Sequence, residues 1–220
     1  MTGQGRAPRV AAGREHPTPV LALVTDLIFV AVAAYLLLGY AWTLWLGTIG
    51  TLGVIREIFL TVYLLMALAF LAARKSAKAF TARKSDYLYT ILGFSAPLFL
   101  QPSMSGGPAL VATALEVTGL IFVAGAFLCL NRSFALAPQN RGIKTAGVYR
   151  LVRHPMYLGY ILAEVGYVFG NFSEFNLVVL TLSVLFLLLR LRAEEQLLGR
   201  DPVYRIYSTK TRWKLIPFLF

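Results

Sequence analysis

The sequence predicts an all-α integral membrane protein with about five transmembrane segments, the last a helical hairpin, and a cytoplasmic C-terminal segment. Three observations support this fold class. Of 220 residues, 58% are apolar and 14% are charged, with a mean hydropathy of +0.68, whereas a soluble domain has about 25% charged residues. Apolar runs near the length of about 20 residues that a membrane-spanning helix needs recur along the chain. The basic residues gather on one side of these runs.

The charge balance excludes one common function of basic proteins. The net charge of +11 comes from 21 Lys and Arg against 10 Asp and Glu. Nucleic-acid-binding proteins present such charges on a folded polar surface, which this composition does not provide. We therefore expect membrane topology to account for the charge, with no nucleic-acid partner. The single cysteine, Cys129, excludes an intramolecular disulfide, and two histidines give little scope for a metal site.

Residues 1–130 divide into a tail and four helices. Residues 1–18 contain three arginines and no apolar periodicity, which predicts a flexible basic tail. Residues 19–130 are expected to form four transmembrane helices, at about 19–46, 54–73, 87–102 and 108–130. Stretches rich in Gly, Pro, Ser or Thr supply the turns between them.

The remaining unit, residues 131–220, comprises a connector, a helical hairpin and a C-terminal segment. The apolar stretch at about 156–190 is broken at Gly170–Ser173. Its first arm is too short to cross a bilayer alone, so a hairpin or a partly re-entrant pair is expected. Basic residues precede the first span, separate the second from the third, and flank the hairpin. By the positive-inside rule the connector and both termini are cytoplasmic.

Acidic residues within apolar segments are the first candidates for chemistry, because an ionisable group in lipid is costly. Asp26 lies near the cytoplasmic end of its helix and is interpreted as interfacial. For Glu116 we favour a structural contact between helices. Glu164 shares a helix face with three tyrosines at spacings of three and four residues, Tyr157, Tyr160 and Tyr167. A structural contact and a functional role both stay open for Glu164.

A second candidate region starts the hairpin. Pro155 is suited to the first turn of a helix, because its missing amide hydrogen would have no partner there. Arg153 and His154 then lie at a helix N-terminus, where free backbone N–H groups favour an anion. The sequence therefore predicts a carboxylate or phosphate site. Binding of lipid headgroups by a basic juxtamembrane cluster is the alternative.

A third candidate region closes the hairpin with two arginines and two glutamates, Arg190, Arg192, Glu194 and Glu195. Their spacings of three and four residues are also those of surface ion pairs on a helix. A closed hairpin would bring them to the same cytoplasmic mouth as Arg153 and His154. Together they would suit a zwitterion, with arginine for a carboxylate and glutamate for an amine or for ribose hydroxyls.

These residues resemble the isoprenylcysteine carboxyl methyltransferase family. That family groups integral membrane S-adenosylmethionine enzymes and includes phospholipid N-methyltransferases. The blocks that carry the resemblance occur in family-like order: Asn131–Phe134, Gly147–Tyr149, Arg153–Gly159, the Arg190–Glu195 cluster, and Tyr204–Tyr207 continuing to Trp213–Pro217. The resemblance covers roughly residues 131–220.

The resemblance implies S-adenosyl-L-methionine as cofactor, bound between the hairpin and the C-terminal segment. The cofactor-binding residues that it implies are Tyr149, Arg153, His154, Tyr157, Gly159, Arg192, Glu194 and Tyr204. Arg190 would face the acceptor, and Glu195 or Glu164 would take a proton where the acceptor requires a base. These three are the catalytic candidates, and no metal is expected.

The resemblance also implies a lipophilic acceptor that comes from the bilayer, with membrane lipids as neighbours. Carboxyl O-methylation of an isoprenylcysteine-like substrate ranks ahead of N-methylation of a phosphatidylethanolamine-type phospholipid. Two further alternatives stay open. One is a sterol-reductase-like enzyme that uses NADPH, and the other is a non-catalytic lipid-binding membrane protein.

Overall fold

The computed structural model describes residues 20–47, 51–103 and 105–219, and it is a bundle of helices. The predicted tail at 1–18 lies outside this part of the chain. The α-helices are α1 (Val20–Leu46), α2 (Thr51–Ala72), α3 (Lys84–Ser95), α4 (Ala109–Leu130), α5 (Pro155–Gly170), α6 (Glu174–Leu198) and α7 (Pro202–Lys210). Short 3-10 helices lie at Ala96–Phe99, Asn131–Ser133 and Gly147–Arg150. Two strands of two residues, β1 (Ala79–Phe80) and β2 (Gln139–Asn140), pair antiparallel.

Three helical stretches in the described chain are long and apolar enough to cross a membrane, as an integral membrane protein requires. They are Val20–Leu46, Ala109–Ser133 and Glu174–Leu198. The span predicted at about 87–102 is not one α-helix in the structure, because α3 has 12 residues and a 3-10 turn follows it directly. Pro97 lies in that turn, and its missing amide hydrogen prevents the α-helical ladder from continuing.

Polar contacts join several helices at one end of the bundle. Asp26 near the start of α1 forms an ion pair with Arg74 after α2, with one N–O distance of 2.9 Å. Arg83, just before α3, donates a hydrogen bond of 2.8 Å to Gln196 near the end of α6. We call this the basic end. The ion pair also agrees with the interpretation of Asp26 as an interfacial carboxylate.

The opposite end, which we call the turn end, is held by one buried amide side chain. Asn176 in the first turn of α6 donates to the carbonyls of Gln101 and Asn171 at 2.8 and 2.6 Å. The amide of Gly107, before α4, donates to the carbonyl of Phe169 at 2.7 Å. The 16 residues of α5 therefore run from the basic end to the turn end. Together, α5 and α6 form the predicted hairpin.

Helices α4 and α5 approach so closely that their backbones touch. A Cβ atom on Gly159 would lie 2.6 Å from the carbonyl oxygen of Gly119, and one on Gly119 would lie 2.5 Å from that of Gly159. A Cβ atom on Gly166 would lie 2.7 Å from the amide nitrogen of Glu116. Small residues at helix contacts are typical of membrane bundles, where close packing replaces hydrophobic burial. This contact fixes the position of α5.

The apolar core and the connector place the C-terminal segment. Fully buried Phe127 of α4 stacks on Phe70 at 5.7 Å and meets Phe134 edge-on at 4.7 Å. After this cluster, Asn140 of β2 accepts a hydrogen bond of 2.6 Å from the amide of Lys78. Its side chain donates to Asp201, the N-cap of α7, at 2.7 Å. The connector is thereby held against both halves of the chain.

Candidate active site

A cavity of about 700 Å³, its mouth included, lies at the basic end where the connector, α5, α6 and α7 meet. We call it the polar cavity. Seven of the eleven residues predicted for the site line it: Tyr149, Arg153, His154, Tyr157, Arg190, Glu194 and Tyr204. The closed hairpin thus brings its two ends together, as the sequence pattern indicated.

The start of α5 is bound to the C-terminal segment by its backbone. His154 is the N-cap of α5 and Pro155 follows at the first helical position. The amides of Arg153 and His154 donate to the carbonyls of Trp213 and Lys214, each at 2.9 Å. These two N–H groups are therefore not available to an anion. The side chains supply the donors of the cavity instead.

Glu195 is a point where three donors converge. One carboxylate oxygen accepts from Arg153 Nη1 at 2.6 Å, and the other lies 2.6 Å from His154 Nε2. The hydroxyl of Tyr204 also donates to the second oxygen. Glu195 is not among the residues that line the polar cavity. Its geometry is that of a residue that positions Arg153 and His154.

Glu194 presents its charge to the cavity. Its Oε2 accepts a hydrogen bond of 2.7 Å from the hydroxyl of buried Tyr157. The guanidinium of Arg190 lies over the same tyrosine ring, 5.0 Å from its centroid. His154 meets that ring edge-on at 5.5 Å. Tyr157 therefore lies among a carboxylate, a guanidinium and an imidazole.

The tyrosines of α7 are fixed as hydrogen-bond donors. Burial raises the pKa of Tyr204 far above its usual value, and its hydrogen bond to Glu195 and the charge of that residue raise it further. Burial also raises the pKa of Tyr207 to about 12. Its hydroxyl donates to the carbonyl of Tyr149 at 2.7 Å. Both phenols stay protonated at neutral pH.

The structure adds two cavity residues that the sequence pattern did not single out as binding groups, Gln139 and Arg141. Both are buried, and Arg141 Nη2 donates to Gln139 Oε1 at 2.6 Å. Burial lowers the pKa of Arg141 to about 10, so it is still charged at neutral pH. Nε of Arg141 and Nε2 of Gln139 have no hydrogen-bond partner in the described chain. These donors are suited to a polar ligand.

The connector explains why these two residues were not recognised. Gln139 lies in β2 and Arg141 follows it, so a strand pairing between distant segments places them. In the sequence, Arg141 is only one of several basic residues that predict the orientation in the membrane. The polar run Gln139–Arg141 between apolar segments is the available signal.

Three predicted site residues lie away from the polar cavity. Gly159 is at the α4–α5 contact, and Arg192 is on the exposed side of α6. Glu164 lines a second, mainly apolar cavity between the first five helices, of about 1460 Å³ with its open mouth included, which we call the apolar cavity. The two cavities are adjacent along α5, because Tyr157 lines the polar one and Tyr160 the apolar one. Three residues of helix separate their Cα atoms by about 5 Å along the axis.

Comparison with known proteins bears on the part of the chain that forms this site. Residues 109–200 match the model of the isoprenylcysteine carboxyl methyltransferase family. No curated protein shows a significant match. The matched segment begins with α4 and ends just after α6, so it contains the hairpin, the connector and most of the polar cavity. Over residues 109–200, therefore, the chain is similar to the isoprenylcysteine carboxyl methyltransferase family.

Proposed function

We propose that this protein transfers a methyl group from S-adenosyl-L-methionine to a lipophilic acceptor, by carboxyl O-methylation of an isoprenylcysteine-like substrate. One observation carries the proposal: a polar, charged cavity and a larger apolar cavity lie side by side along α5. A polar cofactor needs a polar site and a lipophilic acceptor needs an apolar one, and the two sites must adjoin so that the methyl group can pass between them. Tyr157 and Tyr160 mark that boundary.

The residues of the polar cavity fit the proposed cofactor. Arg153, His154 and the unpartnered donors of Gln139 and Arg141 suit a carboxylate and hydroxyl groups. Glu194 suits an amine. When bound, S-adenosyl-L-methionine supplies an electrophilic methyl group on a sulfonium.

The arrangement of Glu195 favours a carboxyl acceptor. A carboxylate is already ionised at neutral pH, so its methylation requires orientation and exclusion of water but no base. Arg190, beside Tyr157, is placed to orient it. A phospholipid amine would arrive protonated and need a base. Both oxygens of Glu195 already accept hydrogen bonds, which suits positioning better than proton transfer.

In the proposed topology, the cofactor comes from the aqueous phase and the acceptor comes from the lipid phase. The arginines at the basic end support a cytoplasmic location for this end of the bundle. The same topology includes the predicted cytoplasmic location of both termini. The cofactor would reach the polar cavity from the cytoplasm. The acceptor would reach the apolar cavity from the surrounding lipid.

Calorimetry of S-adenosylhomocysteine with the detergent-purified protein tests the cofactor assignment. We expect saturable binding, and a loss of about 100-fold or more in the His154→Ala/Glu194→Gln double variant, since two polar contacts are removed. Glu174→Gln, at an exposed glutamate that starts α6 at the turn end, is the matched control and should bind like the wild type. No binding at millimolar ligand would refute the assignment.

The acceptor and the alternatives require separate measurements. Radiolabelled methyl incorporation should be greater with a prenylated cysteine than with phosphatidylethanolamine, and the reverse ranking would favour N-methylation. A larger thermal shift with NADPH than with S-adenosyl-L-methionine would favour the reductase alternative. Tight lipid binding without transfer to any acceptor would favour a lipid-binding protein.

A further inference from the structure

Two acidic side chains line the apolar cavity, and the polar cavity does not use them. Glu116 of α4 and Glu164 of α5 are each more than nine-tenths buried, at 7% and 8% exposure. The rest of the lining is mainly aliphatic and aromatic, with Phe29, Leu64 and Leu120 as examples. A cavity that received only a hydrocarbon chain would gain nothing from carboxyl groups, since burying them is costly.

The two glutamates lie at the same depth in the bundle. The amide nitrogen of Glu116 would lie 2.7 Å from a Cβ atom on Gly166, and Gly166 is two residues from Glu164. The close packing of α4 on α5 therefore brings the backbones of the two residues to one level of the bundle.

Glu164 has hydrogen-bonding capacity that the protein does not use. Ser183 of α6 interacts with its carboxyl group, but not at the geometry of a full hydrogen bond. Neither Oε2 of Glu164 nor Oγ of Ser183 has a partner at hydrogen-bond geometry in the described chain. Buried polar atoms are nearly always satisfied, so an incompletely satisfied carboxyl group on a residue that lines the cavity favours a donor supplied by the ligand.

We propose that Glu164, with Glu116 at the same level, determines specificity by binding a hydrogen-bond donor, a hydroxyl or an amine, on the apolar chain of the acceptor. This inference rests on the proposed function, since it concerns the acceptor of that reaction. It assigns to Glu164 recognition of the acceptor chain and not proton transfer. The acceptor is then an amphiphile with a second polar group.

The helix spacing sets the position of that group. Glu164 is seven residues beyond Tyr157 on α5, which corresponds to about 10 Å along the helix axis. Tyr157 lies beside Arg190, where the carboxyl group of the acceptor is expected. The donor on the acceptor should therefore lie about 10 Å from the methylated group.

Three synthetic amphiphiles test this proposal by binding alone. Each is an S-alkyl mercaptopropionate with the same chain length: one unsubstituted, one with a hydroxyl and one with an amine about 10 Å from the carboxylate. Calorimetry in lipid nanodiscs gives the three dissociation constants. We expect the wild type to bind the hydroxyl and amine compounds about tenfold more tightly than the plain one, an effect typical of a buried hydrogen bond.

Three variants distinguish the source of the preference. Glu164→Leu should abolish it for both substituted chains. Glu164→Gln should keep the preference for the hydroxyl and lose most of that for the amine, because it preserves hydrogen bonding and removes the charge. Glu174→Gln, the same change at an exposed glutamate outside the cavity, should keep both preferences.

The proposal is overturned by equal binding of the three chains to the wild type, by a preference that survives Glu164→Leu, or by no binding of any chain. S-adenosylhomocysteine binding is measured separately on the same preparations. If the wild type prefers the hydroxyl and amine chains but does not bind S-adenosylhomocysteine, only the proposed function is refuted. If the wild type binds S-adenosylhomocysteine but shows no preference among the chains, only the assignment of Glu164 is refuted.

Discussion

Glu195 is a single residue that holds several side chains around the polar cavity in place. It joins Arg153 and His154 at the start of α5 to Tyr204 of α7, although it belongs to α6. Arg153 and Glu195 have side-chain exposures of only 12% and 17%, so solvent screens their ion pair weakly. Removing the charge of Glu195 would leave a largely buried guanidinium without its counter-ion.

Glu195→Gln should lower both stability and cofactor affinity. We expect a loss of about 2 kcal/mol in the free energy of unfolding, between the values of exposed and buried ion pairs. This corresponds to a fall of roughly 5 °C in the thermal midpoint for a protein of this size. S-adenosylhomocysteine affinity should fall about tenfold, because the amide keeps one acceptor oxygen of the two, so Arg153 and His154 can no longer both be held, and the negative charge between them is lost. Glu174→Gln is the control, and equal midpoints for the two variants would contradict this role.

At the scale of residues, the sequence predicts which side chains line the cavity better than what each one does. Arg153, His154 and Glu194 are identified by their positions at the two ends of a hairpin, and α5 and α6 bring them to one cavity. Adjacent glutamates, however, face different surroundings, and no periodicity shows that Glu194 faces the cavity whereas Glu195 lies behind it. Gln139 and Arg141 depend on a pairing between segments about 60 residues apart.

At the scale of elements, the α4–α5 pair is the contact on which both cavities depend. α5 contributes Tyr157 to one cavity and Tyr160 to the other, so a small shift of this helix changes both. Its position is fixed by the glycine contact with α4. Any side chain there must push the two helices apart, because the opposing atoms belong to the backbone.

Gly119→Ala should therefore destabilise the protein, whereas Gly39→Ala should not. The added methyl group at residue 119 meets backbone atoms of Gly159 and Ala163 at 2.5 and 2.6 Å, whereas none lies within 4 Å of the one at residue 39. Overpacking of this kind costs about 2 kcal/mol, or roughly 5 °C in the thermal midpoint. An alanine in α1 gains up to about 1 kcal/mol of helix propensity. Equal thermal midpoints in detergent would contradict the proposed contact.

Most elements follow from the sequence, and the exceptions have local causes. The bounds of α4 and the start of α5 coincide with the predicted ones, since a long apolar run and Pro155 define them. The structure differs from the prediction at α3, where the apolar run continues past a proline that ends the α-helix. The pair β1–β2 has two residues in each strand, too few for a period-2 pattern.

At the scale of the whole molecule, the bundle has two chemically different ends. The basic end carries ion pairs and the polar cavity, whereas the turn end is closed by amide and backbone hydrogen bonds around Asn176. Helices α1, α4 and α6 contain enough apolar residues to lie in a membrane between them. This asymmetry supports one orientation, with the basic end in the cytoplasm.

Cysteine labelling tests that orientation directly. In a Cys129→Ala background, Ser105→Cys places a thiol at the turn end and Thr145→Cys places one at the basic end, both at exposed positions. An impermeant maleimide added to intact cells should label residue 105. It should label residue 145 only after the membrane is permeabilised. Labelling of both residues from outside, or the reverse pattern, would contradict the orientation.

The backbone bonds from Arg153 and His154 to Trp213 and Lys214 have a consequence for biosynthesis. A ribosome delivers the chain from its N-terminus, so the carbonyls that bind the start of α5 emerge after all the long apolar helices. Those helices are thus synthesised before the residues that complete the polar cavity. A nascent chain that stalls before residue 213 carries a lipid-facing bundle but no finished polar cavity.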